Sequence, residues 1–136
     1  MNTYNLTFHH LGLAVASPHK AKGFLQGLGY QIGEECYDEL QQVNLIMCNH
    51  QEMPDVEIIF PGQTPGPIDR ILALRDAGIY HMCYTTPSLA ITLADIKQAG
   101  NRLLCISPPT PAVLFGGQRV SFYMVTGFGL IEILEL

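Results

Sequence analysis

Phe8-His9-His10-Leu11-Gly12-Leu13-Ala14-Val15 and, further along, Ile79-Tyr80-His81-Met82-Cys83-Tyr84-Thr85-Thr86 are two apolar runs, each with a histidine near its middle. Runs of this length and composition read as buried strands. Their surroundings match as well. Ser17-Pro18 follows the first and opens a helix to about Gly27, proline being suited to the first helical position. Pro87-Ser88 follows the second and leads into a helix, Leu89 to Ala99, whose Leu89, Leu93 and Ile96 make one apolar face. Both helices close on glycine: nineteen residues separate His10 from Gly29, and nineteen separate His81 from Gly100.

The match continues to the end of each half. Val56-Glu57-Ile58-Ile59-Phe60 and Leu130-Ile131-Glu132-Ile133-Leu134-Glu135 are final strands that place one carboxylate among aliphatic residues. Two further strands precede each: Tyr30 to Tyr37 and Gln41 to Cys48, then Arg102 to Ser107 and Gln118 to Val125. The chain therefore reads as a tandem repeat of two βαβββ units, about 7–61 and about 78–136, in one α+β domain spanning 1–136. A Gly/Pro-rich linker, Pro61 to Pro67, and a short helix, Ile68 to Arg75, join them.

A carboxylate inside an aliphatic strand costs several kcal/mol unless a cation or a shifted pKa compensates it. Glu57 and Glu132 have no lysine or arginine nearby in their own strands. With the halves related by a pseudo-two-fold axis, His10, Glu57, His81 and Glu132 converge at the centre. Two imidazoles and two carboxylates suit a first-row divalent ion with positions left open for water or substrate. His9 is expected to face the opposite side of its strand, toward the helix layer, because strand side chains alternate. His19 and His50 read as solvated. Arg119, after Gly116-Gly117-Gln118, is a candidate for holding an anionic group of a substrate, and Gln41 a candidate for lining the pocket.

Composition excludes other classes. Twelve acidic residues against seven scattered basic ones give a net charge of −5, without the clustered Lys/Arg of a nucleic-acid surface. No basic segment precedes an apolar one at the start and no eighteen apolar residues run together, so membrane association is not expected and the chain reads as cytoplasmic. Cys36, Cys48, Cys83 and Cys105 show no C-x-x-C pairing and read as reduced core thiols.

These segments resemble the vicinal oxygen chelate superfamily, which includes glyoxalase I, methylmalonyl-CoA epimerase, extradiol dioxygenases and bleomycin-type resistance proteins. His10-Leu11-Gly12-Leu13-Ala14-Val15 is similar to the epimerase opening H-(I/V)-(G/A)-(I/V)-A-V, and Val56-Glu57-Ile58-Ile59-Phe60-Pro61 to its (E/Q)-L-L-x-P strand. Gly66-Pro67-Ile68 with Tyr80-His81-Met82-Cys83-Tyr84 resembles S-P-I leading to H-H-(I/M)-(A/C). Gly117 to Phe122 and Gly129 to Ile133 resemble G-x-R-(I/V)-x-F and G-V-L-(I/V)-E-L. The resemblance implies eight strands curved into a cup around a metal (Co, Zn, Ni or Mn) held by His10, Glu57, His81 and Glu132. It also implies a homodimer acting on a small molecule.

The activity so implied is movement of a proton next to a carbonyl through an enediolate, on an acyl thioester such as methylmalonyl-CoA. Glu132 is the first candidate for the base, with Glu57 or water returning the proton. The alternatives are a glyoxalase-like lyase and a non-catalytic binding protein of the resistance type. Two positions depart from the family. The glutamate that several epimerases carry four residues after the glutamine of Q-G-V-x-E is Leu45 here, and the arginine that glyoxalase I carries four residues after its first histidine is Ala14.

Overall fold

A computed structural model describes residues 1–75 and 77–136. The first module contains β1 (Thr7–Val15), α1 (Pro18–Gly27), β2 (Gln31–Asp38), β3 (Val43–Asn49) and β4 (Val56–Pro61). A short helix, α2 (Pro67–Leu72), leads to the second module: β5 (Ala77–Thr86), α3 (Leu89–Gln98), β6 (Leu103–Pro111), β7 (Arg119–Val125) and β8 (Gly129–Glu135). The expected βαβββ repeat is therefore present, in a single eight-stranded sheet ordered β2-β3-β4-β1-β5-β8-β7-β6.

The order places the strands that carry the candidate ligands side by side at the centre. β1 and β5 pair antiparallel, β1 runs parallel to β4 and β5 parallel to β8. Each parallel pair requires a long crossover, which the intervening helix and two strands supply. One sheet face packs on the helices. Ile46, Ile58 and Val56 pack with Leu25 of α1, and Tyr123, Ile131 and Ile133 lie against Leu89 and Leu93 of α3. Each fully buried side chain of this kind contributes about 1.5–3 kcal/mol. The other face curves inward and is lined by Ala14, Val43, Leu45 and Ile59 in one module and Cys83, Val120 and Leu134 in the other.

Helix α1 starts where Ser17-Pro18 predicts, although the serine side chain makes no capping hydrogen bond. The β2–β3 connection differs from expectation. Gln41 lies in a turn, because Asp38 takes over the backbone there: its Oδ1 accepts from the Leu40 and Gln41 amides, each at 3.1 Å, and its Oδ2 accepts from Gln41 Nε2 at 2.9 Å. Gln42 then adopts φ 57°, and the strand begins only at Val43. Asp38 Oδ2 also accepts from the Val113 amide, 3.2 Å away in a 3-10 turn (Val113–Phe115), and so ties the two ends of the curved sheet together.

Cys48 and Cys83 are core thiols as expected, but Cys105 is exposed, because β6 is the edge strand. His50 is more than solvated. Its Nδ1 accepts from the Glu52 and Met53 amides at 2.9 and 3.0 Å, while Nε2 lies 3.0 Å from the Leu28 carbonyl. No helix among the described residues is long and apolar enough to cross a membrane.

Candidate metal centre

Strand pairing alone accounts for the convergence of the four predicted residues. In the β1–β5 ladder His10 stands opposite Cys83 and Gly12 opposite His81, so each histidine faces a small residue of the other module. In the flanking parallel pairs Gly12 stands opposite Glu57 and Cys83 opposite Glu132. His10, Glu57, His81 and Glu132 are all at least 97% buried. His10 Nε2 lies 3.6 Å from Glu57 Oε1 and 3.4 Å from Glu132 Oε1; His81 Nε2 lies 3.9 and 3.1 Å from the same two atoms.

These separations fit a shared cation. Bonds of about 2.1 Å put neighbouring ligand atoms about 3.0 Å apart in an octahedron and about 3.4 Å apart in a tetrahedron. The polar atoms also lack other partners: His10 Nε2, His81 Nε2 and Glu132 Oε1 are buried and form no hydrogen bond among the described residues. Buried polar atoms without partners are rare enough to require an explanation, and a divalent ion would use all three at once. Its two charges would balance those of the two glutamates.

Without an ion the four groups act on one another. Burial lowers the His10 pKa, but the adjacent carboxylates of Glu132 and Glu57 outweigh it and hold the value up to about 9. Burial raises that of Glu132, and the two histidines overcome this to hold it down to about 2. The thiol of Cys83 is pushed up by burial and by Glu132, so it stays neutral.

Gly12 fits because it has no side chain. A Cβ there would lie 2.6 Å from both Nδ1 and Nε2 of His81 and closer still to Cε1, so the imidazole occupies the space that any other residue would fill. Phe115 stacks on His10 with ring centroids 5.7 Å apart. The repeat gave no sign of Phe115, whereas Gly12 stood in the quoted motif without an assigned role.

The expectation for His9 fails. A β-bulge between Phe8 and His10 interrupts the alternation, and His9 Nδ1 comes within 2.8 Å of His10 Nδ1. Burial and the neighbouring His10 lower the His9 pKa.

A cavity of about 250 Å³ opens above the cluster. Its walls are largely apolar, with Leu45, Val43, Ile59, Ile106 and Phe122, and its polar groups include Gln41, Tyr80, Ser107 and Thr110. Of the four clustered residues, Glu57 and His81 line it, and His10 and Glu132 are not among its lining residues. Gln41 is thus at the cavity, held by Asp38. Arg119 is not among the lining residues; its exposed guanidinium donates to Glu135 Oε1 at 2.7 Å.

Residues 9–122 match the sequence profile of the Glyoxalase/Bleomycin resistance protein/Dioxygenase superfamily. Among solved structures, the chain is similar to methylmalonyl-CoA epimerase from Mycobacterium tuberculosis (TM-score 0.79, 20% identity, covering 99% of this chain and 91% of that one). A hypothetical protein from Bacillus halodurans C-125 superposes with a TM-score of 0.80 at 22% identity, over 96% and 94% of the two chains. A single-residue variant of Streptomyces coelicolor methylmalonyl-CoA epimerase, in complex with 2-nitronate-propionyl-CoA, superposes at 0.73 with 20% identity, again over 96% and 94%. These likenesses share the fold. No curated protein matches the chain.

Proposed function

Because the chain belongs to the glyoxalase/bleomycin resistance/dioxygenase superfamily, we propose that it is a metal-dependent enzyme moving a proton at a carbon next to a carbonyl, on acyl thioesters of the methylmalonyl-CoA type. The observation that carries this reading is the closed set of two imidazoles and two carboxylates at the floor of an apolar cavity. A divalent ion held by His10, Glu57, His81 and Glu132 (Co, Zn, Ni or Mn, as the resemblance to the superfamily implies) would supply Lewis acidity where negative charge develops as the proton leaves. The chain's own groups do the rest. Glu57 is the carboxylate that lines the cavity, so we assign proton transfer to it ahead of Glu132, which does not line it. The apolar walls exclude water and fix the substrate's orientation, with Gln41, Ser107 and Thr110 as hydrogen-bonding partners. Two copies pairing as a homodimer would cover the open edges, β2 and β6.

Leu45 favours a second reading. Inversion at carbon needs a proton removed from one face and delivered to the other, and the wall position that a second carboxylate would occupy is aliphatic and 96% buried. One carboxylate working alone returns the proton on the same side, either to the same carbon or to its neighbour. The latter is a glyoxalase-like isomerisation of a thiol adduct, with a thiol other than glutathione.

The experiment begins with metal analysis of protein purified without added metal. Methylmalonyl-CoA is then incubated in heavy water, with deuterium uptake and inversion followed separately. Uptake with inversion supports the epimerase; uptake without inversion, or turnover of methylglyoxal–thiol adducts, supports the one-base reading. No uptake or turnover with any divalent metal, and ligand affinity unchanged by Glu132→Gln, would leave a binding protein.

A further inference from the structure

In the β1–β5 ladder Phe8 pairs with Tyr84 and His10 with Cys83, which leaves His9 as the extra residue of the bulge. A bulge re-aims a side chain, and here it turns a second imidazole toward the cluster. His9 Nδ1 lies 2.8 Å from His10 Nδ1, with ring centroids 5.1 Å apart and planes at 77°. Phe115 bears on both rings, edge-on to His9 and stacked on His10. The far nitrogen of His10, Nε2, faces Glu57 and Glu132.

The two Nδ1 atoms are at hydrogen-bond distance, and which ring donates follows from the chemistry at Nε2. A histidine that gives its Nε2 lone pair to a metal carries its proton on Nδ1. His10 Nδ1–H then donates to His9 Nδ1, and His9 is neutral with its own proton on Nε2. From this geometry we infer that His9 is a positioning residue: it accepts from His10, fixes that ring's tautomer and rotation, and so presents Nε2 to the ion. The inference rests on reading the four-residue cluster as a metal site.

Among the described residues the second module has no such device. His81 Nδ1 is buried without a hydrogen-bond partner, and the residue before it is Tyr80, whose ring meets the imidazole edge-on at 5.2 Å. His81 is kept in place by the space over Gly12. The repeat therefore yields two unequal ligands, His10 oriented by a hydrogen bond and His81 by packing. Partners that orient a metal-bound histidine in this way typically account for 10–100-fold in metal affinity.

The test compares His9→Phe with His9→Asn. Phenylalanine keeps an aromatic ring against Phe115 but cannot accept a hydrogen bond; asparagine gives up the ring but places an amide oxygen near the position of Nδ1. Zinc affinity is measured by competition with a chromophoric chelator, the Co(II) visible spectrum reports ligand geometry, and the metal-free melting midpoint reports the fold. The expectation is a 10–100-fold loss of affinity and an altered Co(II) spectrum for His9→Phe, with His9→Asn within about threefold of the parent. Equal affinity for His9→Phe and the parent, or equal loss in both variants, would overturn the role of His9 and leave the metal site standing. A parent that binds no ion would overturn both. The zinc-loaded parent gives a check that needs no variant: the ¹⁵N shifts of His10 should show Nδ1 protonated and Nε2 bound, and the reverse assignment would overturn the inference.

Discussion

Replacing Gly12 with alanine tests whether His81 is held by shape alone. The new Cβ would lie 2.6 Å from Nδ1 and Nε2, against an ordinary contact near 3.5 Å, so the ring has to retreat by about 1 Å. A metal ligand tolerates about 0.2 Å, so under the proposed metal-binding role His81 would leave the coordination sphere or distort it. Disturbing the positioning of a metal-bound histidine costs about 10–100-fold in affinity, and moving the ring itself by this much falls at the upper end, about 2.7 kcal/mol. The fold itself should lose less. The clash is with a side chain, and overpacking of this kind costs about 1–3 kcal/mol when nothing yields. Zinc affinity by chelator competition should therefore fall about 100-fold, while the metal-free protein still unfolds cooperatively at a midpoint only a few degrees lower. The related epimerase motif admits alanine at this position, which sharpens the test. A Gly12→Ala protein that binds zinc as tightly as the parent would refute the argument that the missing Cβ seats His81.

Stability should depend on pH in two opposite ways. In the metal-free protein His10 is held up to about 9, so its contribution is fully present below about pH 6.5 and is lost as pH rises through 9; Glu132 is held down to about 2, so its contribution is present above about pH 4.5 and is lost as pH falls toward 2. Melting midpoints without metal should therefore peak between about pH 4.5 and 6.5, and a flat profile from pH 6 to 10 would contradict this. Zinc requires His10 to lose its proton, so its apparent affinity should rise about tenfold per pH unit from about 6.5 to 9, as isothermal titration can show. Asp38→Ala removes the acceptor for four hydrogen bonds at the mouth of the cup, and denaturant unfolding should register a loss of about 2–4 kcal/mol. Thr86→Val leaves the Thr92 hydroxyl without its 2.8 Å partner inside the core; a loss of about 1–2 kcal/mol is expected, and an unchanged midpoint would count against that bond.

Much of the centre was legible in the sequence because the chain describes it twice. Histidine in an apolar run, helix closed on glycine and carboxylate in an aliphatic strand recur at matching places, and strand pairing turns that recurrence into proximity. What escaped the reading depended on local backbone choices that periodicity does not encode. The bulge at His9 breaks the two-residue alternation from which its direction was inferred, and nothing in Phe8-His9-His10 announces it. The Asp38 turn delays β3 by two residues and puts Gln41 outside the strand, although an aspartate before Glu39-Leu40-Gln41-Gln42 was a usable sign of a side-chain-capped turn. Arg119 found a partner across the sheet in Glu135, a pairing that depends on β7–β8 register. The cavity walls come from both modules and become visible only once the sheet has curved.

The strand order also governs how the molecule comes into being on the ribosome. β8 is made after β6 and β7 yet lies between β5 and β7, so the second half of the sheet stays open until its last-made strand slots into the middle. Glu132 travels on that strand, and the other three clustered residues emerge before it. A nascent chain can pair β1 with β5 and bring His10, Glu57 and His81 near one another, but it gains the fourth group only with the act that completes the sheet. Closure of the four-residue cluster and closure of the sheet thus coincide, and a chain interrupted before β8 is left with an unpaired edge and three of the four groups.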